Sequence, residues 1–278
     1  MKNKILTGFL LVLIGGWGSL SAQNVVSNYA RQVNTLIGTK GVGLTSGYLY
    51  PGATYPYGMV QFTPSYFSKR SGFVINQLSG GGCEHMGNFP TFPVKGKLKM
   101  SPDNILNYRI NISEEKGHAG YYEAKVQEDI HAKLTVTERT GMASYEYPAD
   151  QQYGTVIIGG GISATPIEQA AIVITAPNKC EGYAEGGNFC GLRTPYKVYF
   201  VAEFDTDALE SGTWKRNELK PNTTFAEGEY SGVYFTFDVN KKKNIQYKIG
   251  VSYVSVENAR ENLKAENTGW DFLQIQNQ

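Results

Sequence analysis

Four stretches of this chain alternate apolar and polar residues with a period of two, the pattern of a strand with one face buried and one face wet. Ile130-His131-Ala132-Lys133-Leu134-Thr135-Val136-Thr137 is the cleanest. Val198, Phe200, Ala202 and Phe204 alternate with Lys197, Tyr199, Val201 and Glu203; Val233, Phe235, Phe237 and Val239 form a third set, and Tyr247, Ile249, Val251 and Tyr253 a fourth. One apolar face per strand predicts antiparallel sheets packed face to face. Turn signals separate the runs at Gly117–Gly120, Pro148-Ala149-Asp150, Gly186-Gly187-Asn188 and Lys220-Pro221-Asn222. Helical periodicity is missing between Val94 and Tyr253, which disfavours a parallel βαβ architecture. The expected fold is all-β, one large antiparallel β-sandwich over residues 23–254.

Composition agrees and excludes other classes. With 41% hydrophobic, 13% aromatic and 18% charged residues among 278, the chain can fill a core and lacks the signature of disorder. Its 26 basic residues against 25 acidic ones leave no electrostatic footprint for a nucleic acid or an acidic membrane. Three cysteines are too few for a disulfide-dense scaffold.

Both ends depart from the strand pattern. Residues 1–22 read as a signal peptide: Lys2 and Lys4 precede the apolar run Ile5–Ile14, and small residues lead to Ala22. The run is shorter than the ~20 residues that a membrane span requires. The expectation is an exported protein, periplasmic, cell-surface or secreted, with no membrane attachment after cleavage. At the other end Ser255 can cap a helix with Val256, Ala259 and Leu263 on one face. Beyond Asn267-Thr268-Gly269 come Trp270, Phe272, Leu273 and Ile275, a concentrated apolar load for a chain terminus. Residues 255–278 are expected to be a helical connector to a further domain, the alternative being a segment that folds back on the sandwich.

The most unusual local stretch is Leu78-Ser79-Gly80-Gly81-Gly82-Cys83-Glu84-His85. Three consecutive glycines suit a sharp turn or a close approach of backbone to ligand, not a strand interior. The Walker lysine is missing, so a phosphate loop is disfavoured. A second triple, Gly159–Gly161, follows an apolar strand and reads as a bulge or strand end. Cys83-Glu84-His85 lacks any zinc-type spacing, and a Cys83–His85 dyad is disfavoured by adjacency on one loop. His131 and His118 read as surface and turn histidines. Cys180 and Cys190 enclose a hairpin-like stretch that a disulfide could staple, leaving Cys83 free; spacing alone does not decide it. A glycosidase needs two carboxylates flanking the scissile bond, and neither Glu114-Glu115 nor Asp205-Thr206-Asp207 stands out from a solvated turn. Tyrosines 48, 50, 55, 57 and 66 are compatible with sugar stacking and equally with ordinary sandwich packing.

Several segments taken in order resemble one family. They include Val33-Asn34-Thr35-Leu36-Ile37-Gly38-Thr39, the run from Tyr50 to Pro64, Gly72-Phe73, Leu78–Cys83 and Gly87-Asn88-Phe89-Pro90. The pattern continues at Phe189-Cys190-Gly191, Tyr196–Phe204, Gly212-Thr213-Trp214, Lys248–Ser255 and Glu257-Asn258-Ala259-Arg260. Together they resemble the amino-terminal region of glycoside hydrolase family 92, exported, calcium-dependent, inverting exo-α-mannosidases. The resemblance implies a galactose-mutarotase-like supersandwich, followed in the family by an (α/α)6 barrel that carries the catalytic carboxylates and most calcium ligands. It therefore implies no catalytic residue, no metal ligand and no cofactor in this chain, with calcium expected only alongside the barrel.

The family's S-G-T-G segment, which helps to line the sugar pocket, corresponds to Ser79, Gly80, Gly81, Gly82 and Cys83. Ahead of it, where members often carry H-T-H, stands Ile75-Asn76-Gln77; where many carry Asp and then Trp after the Thr/Ser-Pro pair, Ser65 and then Tyr66-Phe67 stand. Asn76 and Tyr66 join the loop as expected substrate-binding positions. The implied partners are a neutral, mannose-containing glycan at a domain interface and the barrel itself. The resulting expectation is a carbohydrate-contacting domain without activity alone, the alternatives being a stand-alone glycan-binding protein and half of a split enzyme.

Overall fold

The computed structural model describes residues 29–39, 49–65, 72–103 and 111–278. The expected signal peptide and Tyr66 lie outside those residues. In chain order the first strands are β1 (Ala53–Thr54), β2 (Gln61–Pro64), β3 (Phe73–Val74), β4 (Thr91–Lys95), β5 (Ile112–His118) and β6 (Tyr121–Val126). Then come β7 (Ile130–Val136), β8 (Thr140–Glu146), β9 (Tyr153–Gly159), β10 (Ile167–Ala176), β11 (Lys179–Phe189) and β12 (Leu192–Phe204). The last are β13 (Glu210–Lys215), β14 (Glu218–Pro221), β15 (Phe225–Glu227), β16 (Ser231–Asp238) and β17 (Asn244–Ser252), followed by helices α1 (Val256–Glu266) and α2 (Phe272–Gln276).

Two antiparallel sheets result. One runs β1-β2-β3-β4-β9-β16-β13-β14 and the other β15-β10-β11-β12-β17-β8-β7-β6-β5. The expected sandwich is what forms, with a short helical segment at its C-terminal end. Its core is built by the alternating faces: Ala132, Leu134, Val198, Phe200, Phe204, Val233, Phe235, Tyr247 and Ile249 are all buried. Phe204 of one sheet meets Phe235 and Phe237 of the other with ring centroids 5.0 Å apart, and Phe73 stacks on Tyr145 at 6.2 Å. Offset and tilted rings at these separations add about 0.5–1.5 kcal/mol per pair beyond area burial.

The structure adds a layer that alternation does not announce. Phe92, Ile157, Trp214 and Tyr234 form a second buried cluster with Leu98 and Leu219 packed against it, on the opposite face of the first sheet. Residues such as Tyr234, polar by period-two reasoning, are thus buried because both faces of that sheet are covered.

The second glycine triple ends β9 as expected for a bulge. The N–H groups of Gly160 and Gly161 both donate to the Ser231 carbonyl, at 2.9 and 3.0 Å, so two residues oppose one. The Gly186-Gly187-Asn188 signal is not a turn: it lies in β11, where a register shift between Gly186 and Asn188 accommodates the left-handed Gly187 at φ +131°.

Helix α1 starts where Ser255 Oγ accepts the N–H of Asn258 at 3.1 Å, and it buries Ala259 and Leu263 against Val201. Asn267 ends it, donating its N–H to the Leu263 carbonyl at 3.0 Å. The terminal segment folds back. Asp271 caps α2, Ile275 is buried, Phe272 meets Tyr121 edge-on at 6.2 Å, and Lys248 Nζ sits 4.4 Å from the Trp270 ring centroid. Part of the apolar load is therefore used within this chain, although Leu273 remains exposed.

Candidate functional site

The glycine loop is closed at its base by the isolated backbone bridge Gln77–Met86, next to a second bridge, Gln61–Asn76, that joins its leading segment to β2 of the first sheet. Gly80 and Gly82 hold φ of +72° and +78°, which L side chains rarely adopt, so the triple is a bend forced by backbone geometry. Ser79 Oγ accepts the Tyr50 N–H at 3.2 Å, and a Cβ on Gly81 would lie 3.3 Å from the Phe189 ring.

Beneath the loop lies a buried polar network. Asn76 Nδ2 donates to Asn88 Oδ1 at 3.0 Å and to the Tyr253 hydroxyl at 3.3 Å, while the Asn88 N–H returns a bond to Asn76 Oδ1 at 2.7 Å. The Tyr196 hydroxyl also donates to Asn88 Oδ1, at 2.7 Å, and Gln77 Nε2 donates to the His85 carbonyl at 2.9 Å. Burial pushes the Tyr196 and Tyr253 phenols above their ordinary range, so both stay neutral hydroxyls. The His85 ring lies edge-on between Phe189 at 5.3 Å and Tyr196 at 5.5 Å. Asn88 Nδ2, Gln77 Oε1 and His85 Nδ1 are buried without a hydrogen-bond partner. Native interiors leave few such groups, and each calls for a physical reason.

The cysteines correct the sequence-based expectation. Cys83 is bonded to Cys190, with Cα atoms 5.5 Å apart, and Cys180 is the buried free thiol. The expected Cys180–Cys190 pair is excluded because residues 181–189 form strand and not a hairpin loop. At ~3.3 Å per residue the two ends of β11 stand roughly 30 Å apart. A bonded Cys83 also removes any Cys83–His85 dyad.

Of the expected site residues, Asn76, Ser79, Gly80, Gly81, Gly82 and Cys83 come together at this end. Gln77, His85, Asn88, Phe189, Tyr196 and Tyr253 join them without having been singled out as site residues. The sequence signal for Asn88 was its place in Gly87-Asn88-Phe89-Pro90; Tyr253, the last of its alternating set, lies just past the end of β17 and reaches the network only through the fold.

Beside the loop opens a cleft of about 240 Å³, lined by hydroxyl-bearing Thr35, Thr39, Tyr50, Thr54 and Ser79 together with His118. A larger cleft of about 550 Å³ lies elsewhere, on β5–β8. It is walled by charge: Lys125 pairs with Glu114 at 2.7 Å, and Glu123 faces Lys116 at 3.6 Å and His131 at 3.3 Å. Burial works to raise the Glu123 carboxyl, but the Tyr121 hydrogen bond together with His131 and Lys116 outweighs it and lowers the group from its ordinary value. Opposite charges already matched in this way mark a solvated, ion-paired surface. Among the described residues no three His, Cys, Asp or Glu side chains gather as a metal-binding group. Within the glycine loop the carboxylate is Glu84, half-buried beside Cys83. None of the described helices is long and apolar enough to cross a membrane.

Comparisons with known proteins agree with this architecture. An uncharacterized secreted glycosidase from Arthroderma benhamiae is 25% identical over 95% of this chain and 39% of its own length. A family GH92 glycosyl hydrolase structure superposes with a TM-score of 0.77 at 21% identity, over 90% of this chain and 36% of its own. A family GH92 α-mannosidase from Bacteroides thetaiotaomicron, solved with mannoimidazole, superposes with a TM-score of 0.75 at 24% identity, over 89% of this chain and 35% of its own. The chain thus spans between a third and two fifths of the length of these relatives. The family model described as the glycosyl hydrolase family 92 N-terminal domain matches residues 32–252, and the chain belongs to that family through this domain.

Proposed function

We propose that this chain is the carbohydrate-contacting sandwich of an exported, α-mannosidase-like glycoside hydrolase. In this reading the glycine loop and the Asn76–Asn88 network form one wall of a mannoside site. The catalytic acid and base, and the calcium of the family, are supplied by a second domain on the same polypeptide or on another. The observation that carries the reading is the convergence of Asn76, Ser79 and the glycine triple with two buried amide atoms that lack partners, Asn88 Nδ2 and Gln77 Oε1. Neutral amides and hydroxyls suit an uncharged polyol, whose own hydroxyls can donate and accept in turn. Support also comes from the relatives, one of them an α-mannosidase in complex with mannoimidazole.

The division of labour is tested by incubating this chain with α-mannosides and calcium. The account predicts no hydrolysis above buffer, and activity when an (α/α)6 barrel of the family is supplied. Clear turnover by this chain alone contradicts it.

The return of α2 onto β7 and β8 favours a second reading, a self-contained glycan-binding module. Mannoside affinity in the absence of any barrel would support it over the first.

A further inference from the structure

The loop that this reading places against the glycan is intrinsically soft. A Cβ on Gly82 would meet nothing within 4 Å, and one on Gly80 would meet only Leu49, at 3.6 Å. Glycine loses more conformational freedom on ordering than any other residue, so three in a row hold one shape only if something imposes it. Cys83 supplies a covalent tie immediately after the triple, across a sequence separation of 107 residues.

The other end of the tie is stiff. Cys190 sits at the tip of the β11–β12 hairpin, in a turn where Cys190 and Gly191 hold φ of +54° and +84° and the Gly191 N–H donates to Asn188 Oδ1 at 2.9 Å. That hairpin is rooted in the core through Val198 and Phe200, and Phe189 beside the tip already touches the His85 ring. The bond thus joins a soft sugar-facing segment to a rigid one.

We propose that Cys83 and Cys190 are a positioning pair for the glycan site: their disulfide holds the glycine loop in its sugar-facing conformation, so mannoside affinity follows the redox state of this one bond. The proposal rests on the reading of the loop given above. The bond is open to reagents, since Cys190 is exposed and Cys83 only half-buried. A dithiol reductant donates two electrons and two protons: the S–S bond breaks, two protein thiols form, and the reductant closes its own disulfide. Cys180 does not interfere, because it is buried and burial pushes its thiol up, away from the thiolate that exchange requires.

The test compares the oxidised chain, the chain reduced with dithiothreitol and the Cys83→Ser/Cys190→Ser double variant, well below their melting temperatures and with folding checked by circular dichroism. Hydrogen exchange is read at Gly80–Glu84, and affinity for methyl α-mannopyranoside by NMR titration. Reduction is expected to speed exchange in the loop while Phe200 and Ile249 stay protected, and to weaken mannoside binding about tenfold. The double variant should match the reduced chain and ignore dithiothreitol. By reciprocity, saturating mannoside should make the bond harder to reduce, by about 30 mV for a tenfold affinity ratio in a two-electron couple. Unchanged loop exchange on reduction, or unchanged affinity and midpoint potential, overturns the proposal. An oxidised chain that binds no mannoside overturns the underlying reading of the site instead, while loop exchange, which needs no ligand, still tells whether the bond holds the loop.

Discussion

Asn76 and Asn88 clasp each other twice: the Asn76 amide donates to Asn88 Oδ1 at 3.0 Å, and the Asn88 backbone N–H donates to Asn76 Oδ1 at 2.7 Å. This pair of hydrogen bonds fixes the floor on which the glycine loop stands. Replacing Asn88 by Ala leaves both the Asn76 amide and the Tyr196 hydroxyl without their shared acceptor. An unsatisfied buried donor costs roughly 1–3 kcal/mol, so Asn88→Ala should lose about 2–3 kcal/mol by urea denaturation. Tyr196→Phe, which removes one donor and leaves Asn88 otherwise bonded, should lose about 1 kcal/mol. Equal losses would show that the network is not shared through Asn88.

Gly161 is where β9 leaves the sheet, and an added Cβ there would run into the Gly228 carbonyl oxygen. Backbone cannot yield as a flexible side chain can. Gly161→Ala should therefore destabilise by about 1–3 kcal/mol, whereas Gly269→Ala, with open space around it, should be within about 0.5 kcal/mol of neutral. Thermal melts of the two variants check the contrast.

Ile275 anchors the terminal segment, being buried where Leu273, two residues earlier and on the opposite face of the helix, is exposed. Truncating a buried isoleucine costs roughly 2–5 kcal/mol when its surroundings are fixed, and less where a short helix can readjust. Ile275→Ala should lower stability by about 2 kcal/mol or release α2 locally, which hydrogen exchange at residues 272–276 would report. Leu273→Ala should do neither.

Asp205 has a side chain almost inaccessible to water, accepting from Gln246 N–H at 3.1 Å and paired with Lys242 at 2.7 Å. Burial outweighs these bonds and raises its carboxyl above the ordinary 3.8. A raised folded-state value means that the folded protein binds more protons there than the unfolded chain does. Stability from this group is full below pH 3.8 and is lost as pH rises through the folded value. Relative to Asp205→Asn, the parent should lose ground across that interval, and the carboxyl carbon followed by NMR should titrate above the ordinary value. Titration below it would reverse the sign.

How much of this could be read in the amino acids depends on whether the signal was local. Alternation in residues 130–137 and 198–204 reports burial directly, because each side chain's face follows from its place in the strand. Ser255, Val256, Ala259 and Leu263 likewise announced α1 by a cap and a stripe. The pairing of Cys83 with Cys190 could not be read this way, since it depends on the β11–β12 hairpin bringing its tip to the glycine loop. Cys180 misled because residues 181–189 carry Gly182, Gly186 and Gly187, turn residues in isolation, which sit in a strand where neighbouring backbone comes close to Gly182 and Gly186. The loop itself was legible from its three glycines; Tyr196 and Tyr253, distant in sequence, entered the site only through the fold.

The account stands on the glycine loop and its amide floor being where a mannoside is held. The direct measurement is a titration of the oxidised, methyl-labelled chain with methyl α-mannopyranoside, followed at every resolved methyl group. The account predicts shifts centred on Leu78 and Met86, abolished in a folded Asn76→Ala variant, with Val173 and the methyl groups of the ion-paired β5–β8 face unmoved. Shifts centred away from the loop, or shifts at Leu78 and Met86 that survive Asn76→Ala unchanged, would contradict it.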